Sequence, residues 1–174
     1  MTSGEGGRGN DLGVLAGRLL FAVQGELFDR LHEEGFADIV PRHGAVLAYL
    51  RPEGVRATDL ARLSGQLKQV VGGIVDDLEA LGYVKRKPDP ADRRAKLVVP
   101  TARGRRQMDA ADSIMADIMN RHAANLGATK FRRFLVDFRT VIDHQRAPIV
   151  SRGRHSPVEY VKPGPDTLVA ELFR

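Results

Sequence analysis

The sequence contains no cysteine and no tryptophan. Without cysteine, disulfides, thiolate-bound zinc and thiol catalysis are excluded. Long hydrophobic runs are missing as well. The longest, Ala45 to Leu50, falls far short of the roughly 20 residues that span a bilayer. The opening residues, MTSGEGGRGN, hold no apolar signal core, and Arg18 interrupts the apolar stretch that follows. A cytoplasmic protein with no membrane partner is expected. Signatures of catalysis are equally scarce. There is no G-x-S-x-G and no Walker loop, and the glycines of residues 4–9 precede no strand–helix unit. The five histidines, His32, His43, His122, His144 and His155, include no i, i+4 pair. They read as surface or packing residues rather than metal ligands. No enzyme, cofactor or metal is expected.

What remains is a chain of 174 residues, 43% hydrophobic and 28% charged, with a net charge of +5. That suits one domain, or one domain with an appendage. The charge is concentrated. Residues 82–106 carry nine Lys or Arg against Asp89 and Asp92. A basic patch of this kind is the footprint of a polyanion partner or, more blandly, a solvated ribbon.

Residues 1–10 contain four glycines and are expected to be disordered. From Leu12 the pattern is helical. Leu12, Leu15, Leu19, Val23, Leu27 and Leu31 share a face, Asn10 or Asp11 can cap it, and Gly35 lies past its end. Pro41 suits the first position of a second helix. Residues 51–56, RPEGVR, break the pattern. Thr58 can cap a short helix ending at Gly65. Another helix follows from about Lys68 to Leu81, with Val71, Ile74, Val75 and Leu78 inward. Helix, tight turn, helix is the helix-turn-helix arrangement. Residues 83–87 and 95–99 then read as strands around a turn-rich segment, residues 88–94. A basic two-stranded hairpin after a helix-turn-helix is a wing. Thr101 and Thr129 can cap two long helices separated by Gly127. Met108, Ala111, Met115, Ile118 and Met119 share a face of the first; Phe131, Phe134, Leu135, Phe138, Val141 and Ile142 line the second. Residues 145–174 hold four of the nine prolines, so no long helix is expected before Pro165. Asp166 can cap one short turn there.

The stretch Leu60–Gly104 resembles the winged-helix core of the MarR family of bacterial transcription regulators. The residues that carry the likeness are Leu78-Glu79-Ala80-Leu81-Gly82-Tyr83-Val84, then Pro88-Asp89-Pro90-Ala91-Asp92-Arg93-Arg94, then Thr101-Ala102-Arg103-Gly104. They match the family's LE..GYV, DP.D.R and LT..G at the same spacing. With the flanking helices the likeness covers residues 11–144. It implies a mainly α fold: a winged helix-turn-helix core at about 41–104, dimerisation helices at about 11–34 and 102–144, and a Pro-containing extension at 145–174. It also implies a homodimer on pseudo-palindromic double-stranded DNA. Such a protein is usually a repressor, released by an anionic or phenolic small molecule. The effector is expected near Arg18, His43 and the second helix. Three residues depart from the pattern: Pro100 replaces Leu, Leu67 replaces a Ser or Thr cap, and Gly73 replaces an Arg that touches DNA.

Several residues are candidates for DNA contact. Lys68, Gln69, Gly72 and Gly73 lie on the outer face at the start of the recognition helix, whose N-terminal residues enter the major groove. Gln69 can pair with an adenine edge, Lys68 with guanine or phosphate, and the glycines admit close backbone approach. Arg93 and Arg94 at the wing suit a minor groove, with Asp92 able to pair with Arg94. Lys85, Arg86, Lys87 and Lys96 would contact phosphates, although alternation along a strand turns some away. Thr58 and Arg62 can meet the backbone from the supporting helix. For each, the plain alternative is an ordinary solvated side chain. Met108, Met115 and Met119 read as a core stripe, or else as the wall of an adaptable ligand pocket. Two rival functions are a sequence-neutral DNA-compacting protein and a winged-helix module that binds protein partners.

Overall fold

The structure, a computed structural model, describes residues 11–151. Expectations for residues 1–10 and for the tail beyond 151, including the Asp166 turn, lie outside the described residues. Six helices surround a small sheet: α1 Leu12–Glu33, α2 Gly44–Leu47, β1 Val55–Arg56, α3 Ala57–Ser64, α4 Lys68–Ala80, β2 Val84–Asp89, β3 Asp92–Pro100, α5 Ala102–Leu126 and α6 Ala128–Ser151. A 3-10 turn, Pro41–His43, leads into α2.

Asp11 caps α1 by accepting the Val14 N–H at 3.0 Å. The helix closes where Phe36 N–H reaches back to Leu31 O at 2.9 Å. Only its last turns enter the core. Phe28 and Leu31 are buried, whereas Leu12, Leu15, Leu19, Leu20 and Phe21 are exposed, Phe21 by 74%. The core proper lies beneath the helix-turn-helix. Ile39, Val46, Leu60, Val71, Val75, Leu78 and Ile114 are essentially sealed from solvent there.

Helix α4 is stopped at Gly82, whose φ of +78° suits a residue without Cβ. Tyr83 N–H then bonds to Leu78 O at 2.9 Å. Thr101 ties α5 to the same corner. Its hydroxyl accepts the Gly104 N–H at 3.1 Å and donates to Gly82 O at 2.6 Å. Gly104 sits so close that a Cβ would lie 2.0 Å from Tyr83 O. A polar staple completes the joint. Tyr83 donates its hydroxyl to Asp38 at 2.5 Å, and Arg103 donates to the same carboxylate at 2.8 Å while lying 4.3 Å from the Tyr83 ring centroid.

Four local expectations need correction. The wing belongs to a three-stranded antiparallel sheet in the order β1-β3-β2, because Val55 and Arg56 pair with Val98 and Leu97. Thr58 does not cap α3: the helix starts at Ala57 with Arg56 at the cap position, and no side chain caps it. Thr129 likewise falls inside α6, which begins at Ala128. That helix also runs past residue 144 to Ser151, with Pro148 within it.

Candidate nucleic-acid interface

The first turn of α4 is presented to solvent. Lys68 and Gln69 are exposed, Gly73 is exposed and Gly72 half-buried. A Cβ at either glycine would meet nothing within 4 Å. Leu67 occupies the N-cap position without a side-chain hydrogen bond. It is 74% exposed, and Val70 beside it is also exposed. Sequence reasoning gave neither a place at the interface. The signal was available: both are large apolar residues outside the inward-facing set of α4.

The wing is braced at its tip. Asp89 accepts the Ala91 N–H at 2.8 Å and the Arg56 guanidinium at 2.6 Å. These bonds, the Ala91 N–H first, hold the Asp89 carboxyl below the ordinary aspartate value. Asp92 does not pair with the Arg94 guanidinium. It accepts the Arg94 backbone N–H at 3.0 Å and lies 3.9 Å from Arg56. Strands β2 and β3 extend to Asp89 and from Asp92, so Arg93 and Arg94 are strand residues near a two-residue turn. Both are exposed.

Strand alternation sorts the remaining cations. Arg86 turns toward α4, where Asp76 receives it at 2.5 Å and Glu79 also pairs with it. That pairing neutralises the charge expected to meet a phosphate. Lys85 and Lys87 lie on the other face, in a groove of about 520 Å³ shared with Pro52, Glu53 and Arg105. Lys96 is exposed. On α3, Thr58 is exposed and Arg62 lies 3.4 Å from Asp59.

A second feature lies between α1, α2 and α5. A cavity of about 400 Å³ is lined by Leu27, Phe28 and Leu31, by Leu47 and Leu50, and by Gln107, Met108, Asp112 and Met115. Two of the three methionines on the α5 stripe, Met108 and Met115, thus pack against the core and also line this void. Neither expected effector residue lines it. Arg18 is exposed on α1. His43 is buried, and its Nδ1 accepts the Val40 N–H at 3.2 Å. Burial, followed by Arg42, holds His43 below the ordinary histidine value. Its backbone neighbour Gly44 reaches the wall.

The family model described as MarR family matches residues 37–95. A transcriptional regulator of the MarR family from Rhodococcus sp. RHA1 is 28% identical, with a TM-score of 0.63 over 78% of this chain and 95% of that one. The chain is similar to DNA-binding transcriptional regulators of the MarR family, whose model its winged-helix core matches. Members of this family are not enzymes. CouR from Rhodococcus jostii RHA1, crystallised with p-coumaroyl-CoA, is 29% identical, with a TM-score of 0.63 over 76% of this chain and 92% of that one. The repressor CouR bound to a 23-mer DNA duplex is 25% identical, with a TM-score of 0.63 over 82% of this chain and 99% of that one. No curated protein matches the chain. No helix among the described residues is long and apolar enough to cross a membrane.

Proposed function

We propose that this protein is a cytoplasmic, sequence-specific repressor that binds duplex DNA as a homodimer and lets go when a small molecule fills the α1–α2–α5 cavity. One observation carries the reading. Lys68, Lys85, Lys87, Arg93, Arg94 and Lys96 are exposed and enter no ion pair among the described residues, whereas Arg30, Arg56, Arg86, Arg103 and Arg121 are all paired with carboxylates. Cations left unneutralised on one winged-helix module suit phosphates, which release counterions when contacted. Gln69 and Lys68 then read base edges, and the exposed methyl groups of Leu67 and Val70 suit thymine methyls.

The dimer follows from what the single chain leaves wet. Leu15, Leu19 and Phe21 of α1, and Phe134, Val141 and Ile142 of α6, are exposed. A second copy covers such surface by two-fold symmetry. Two recognition helices then sit about 34 Å apart, one turn of B-DNA.

The test is selection of bound duplexes from random DNA, followed by Gln69→Ala. The expected result is a pseudo-palindromic consensus, with the variant losing discrimination between that consensus and random DNA by about tenfold. Equal binding of all sequences by the wild type would instead make this a sequence-neutral DNA-compacting protein.

A further inference from the structure

The cavity between α1, α2 and α5 has a polarity of its own. Its volume of about 400 Å³ exceeds the roughly 150 Å³ that accommodates benzene in an engineered apolar cavity. It therefore has room for a ring and a short chain. Most of the wall is aliphatic, and the flexible Met108 and Met115 can adjust to a guest. Two polar groups interrupt it. Gln107 is only 2% exposed, and its Oε1 has no hydrogen-bond partner. A buried acceptor left this way is costly, and a donor brought by a guest would relieve it. Asp112 is the one ionisable side chain of the lining. It forms no ion pair among the described residues. Partial burial, then nearby Asp109, holds its carboxyl above the ordinary aspartate value, with no cation to offset them. No Lys or Arg lines the cavity.

We propose that this cavity takes a neutral or cationic amphiphile, with an apolar ring or chain body and an N–H or O–H donor head, and discriminates against carboxylates. The body packs on Phe28, Leu31 and Met115. The head donates to Gln107 Oε1, and a positive charge gains further from Asp112. An anionic effector, as the family resemblance implies, would meet a carboxylate and no cation. The proposal rests on reading the cavity as the effector site and narrows what that effector can be.

The test uses four probes that share one skeleton: 3-phenylpropylamine, 3-phenylpropan-1-ol, 3-phenylpropanoate and, as a headless control, propylbenzene. Each is titrated calorimetrically at millimolar concentration into the full-length protein at neutral pH. The amine and alcohol are expected to bind at least about tenfold more tightly than the carboxylate. Asp112→Asn is nearly isosteric, so the fold should survive it. It should remove the amine's advantage over the alcohol. Gln107→Leu should weaken amine and alcohol alike by about tenfold while leaving propylbenzene unchanged. The proposal is overturned if the carboxylate binds as tightly as the amine, if Asp112→Asn leaves the order of the probes unaltered, or if no probe binds. Duplex binding is measured by anisotropy on the same preparations. Protein that binds DNA but none of the probes refutes the cavity's role and leaves the regulator reading standing. Protein that binds probes but no DNA does the reverse.

Discussion

Replacing both Gly72 and Gly73 with alanine should separate stability from DNA binding. The two residues sit in the interior of α4, where glycine costs about 1 kcal/mol relative to alanine because it loses more backbone freedom on folding. An added Cβ would meet nothing within 4 Å at either position, so no clash offsets the gain. The double variant should therefore be more stable by about 2 kcal/mol, a rise of roughly 4–8 °C in melting temperature for a chain of this length. If the glycines exist to let the helix backbone approach DNA, the same two methyl groups hold it away. Affinity for the selected duplex should then fall by about tenfold or more. Thermal melting by circular dichroism and anisotropy titration on one preparation give both numbers. A more stable variant that binds DNA as well as the wild type would refute the close-approach reasoning. A variant that gains no stability would refute the claim that both sites are unencumbered helix interior.

Two further predictions concern the joints of the fold. Gly104→Ala forces a Cβ to within 2.0 Å of Tyr83 O, and backbone cannot yield as a flexible side chain does. The loss should reach about 3 kcal/mol, seen as a lowered urea midpoint with an unchanged slope. Asp89 supplies a pH dependence. Its carboxyl is held below the ordinary value of 3.8 by the Ala91 N–H and Arg56, so its contribution is complete above that value. It is lost as pH falls through the lower value of the folded state. Asp89→Asn should therefore flatten the fall of melting temperature below about pH 4, and an unchanged acid limb would show that the wing brace contributes nothing.

Much of the fold could be read locally, where each signal lies within a few residues of its effect. The Asp11 cap, the Gly82 stop of α4 and the inward set Val71, Ile74, Val75 and Leu78 are of this kind. Features set by distant partners were not legible. Strand β1 is two residues long and exists because β3 pairs with it; nothing in RPEGVR announces it. Arg86 looked like a phosphate contact because strand alternation shows that neighbours point oppositely but not that Asp76 and Glu79 wait on α4. The Asp38–Tyr83–Arg103 staple joins residues 45 and 65 positions apart. The cavity was half legible. The methionine spacing on α5 read as a core stripe, with an adaptable wall as the alternative, and where the void opened depended on how α1 and α2 pack against it.

The central claim is that the wing arginines and the start of α4 meet DNA phosphates and grooves together. It is tested most directly by the salt dependence of duplex binding for the wild type and for Arg93→Ala with Arg94→Ala. Each lost phosphate contact lowers the slope of log K against log salt by about 0.9. The double variant should therefore bind at least about tenfold more weakly at moderate salt, with a slope shallower by roughly one to two, while its circular dichroism spectrum stays unchanged. A folded double variant with the wild-type affinity and the wild-type slope would contradict it.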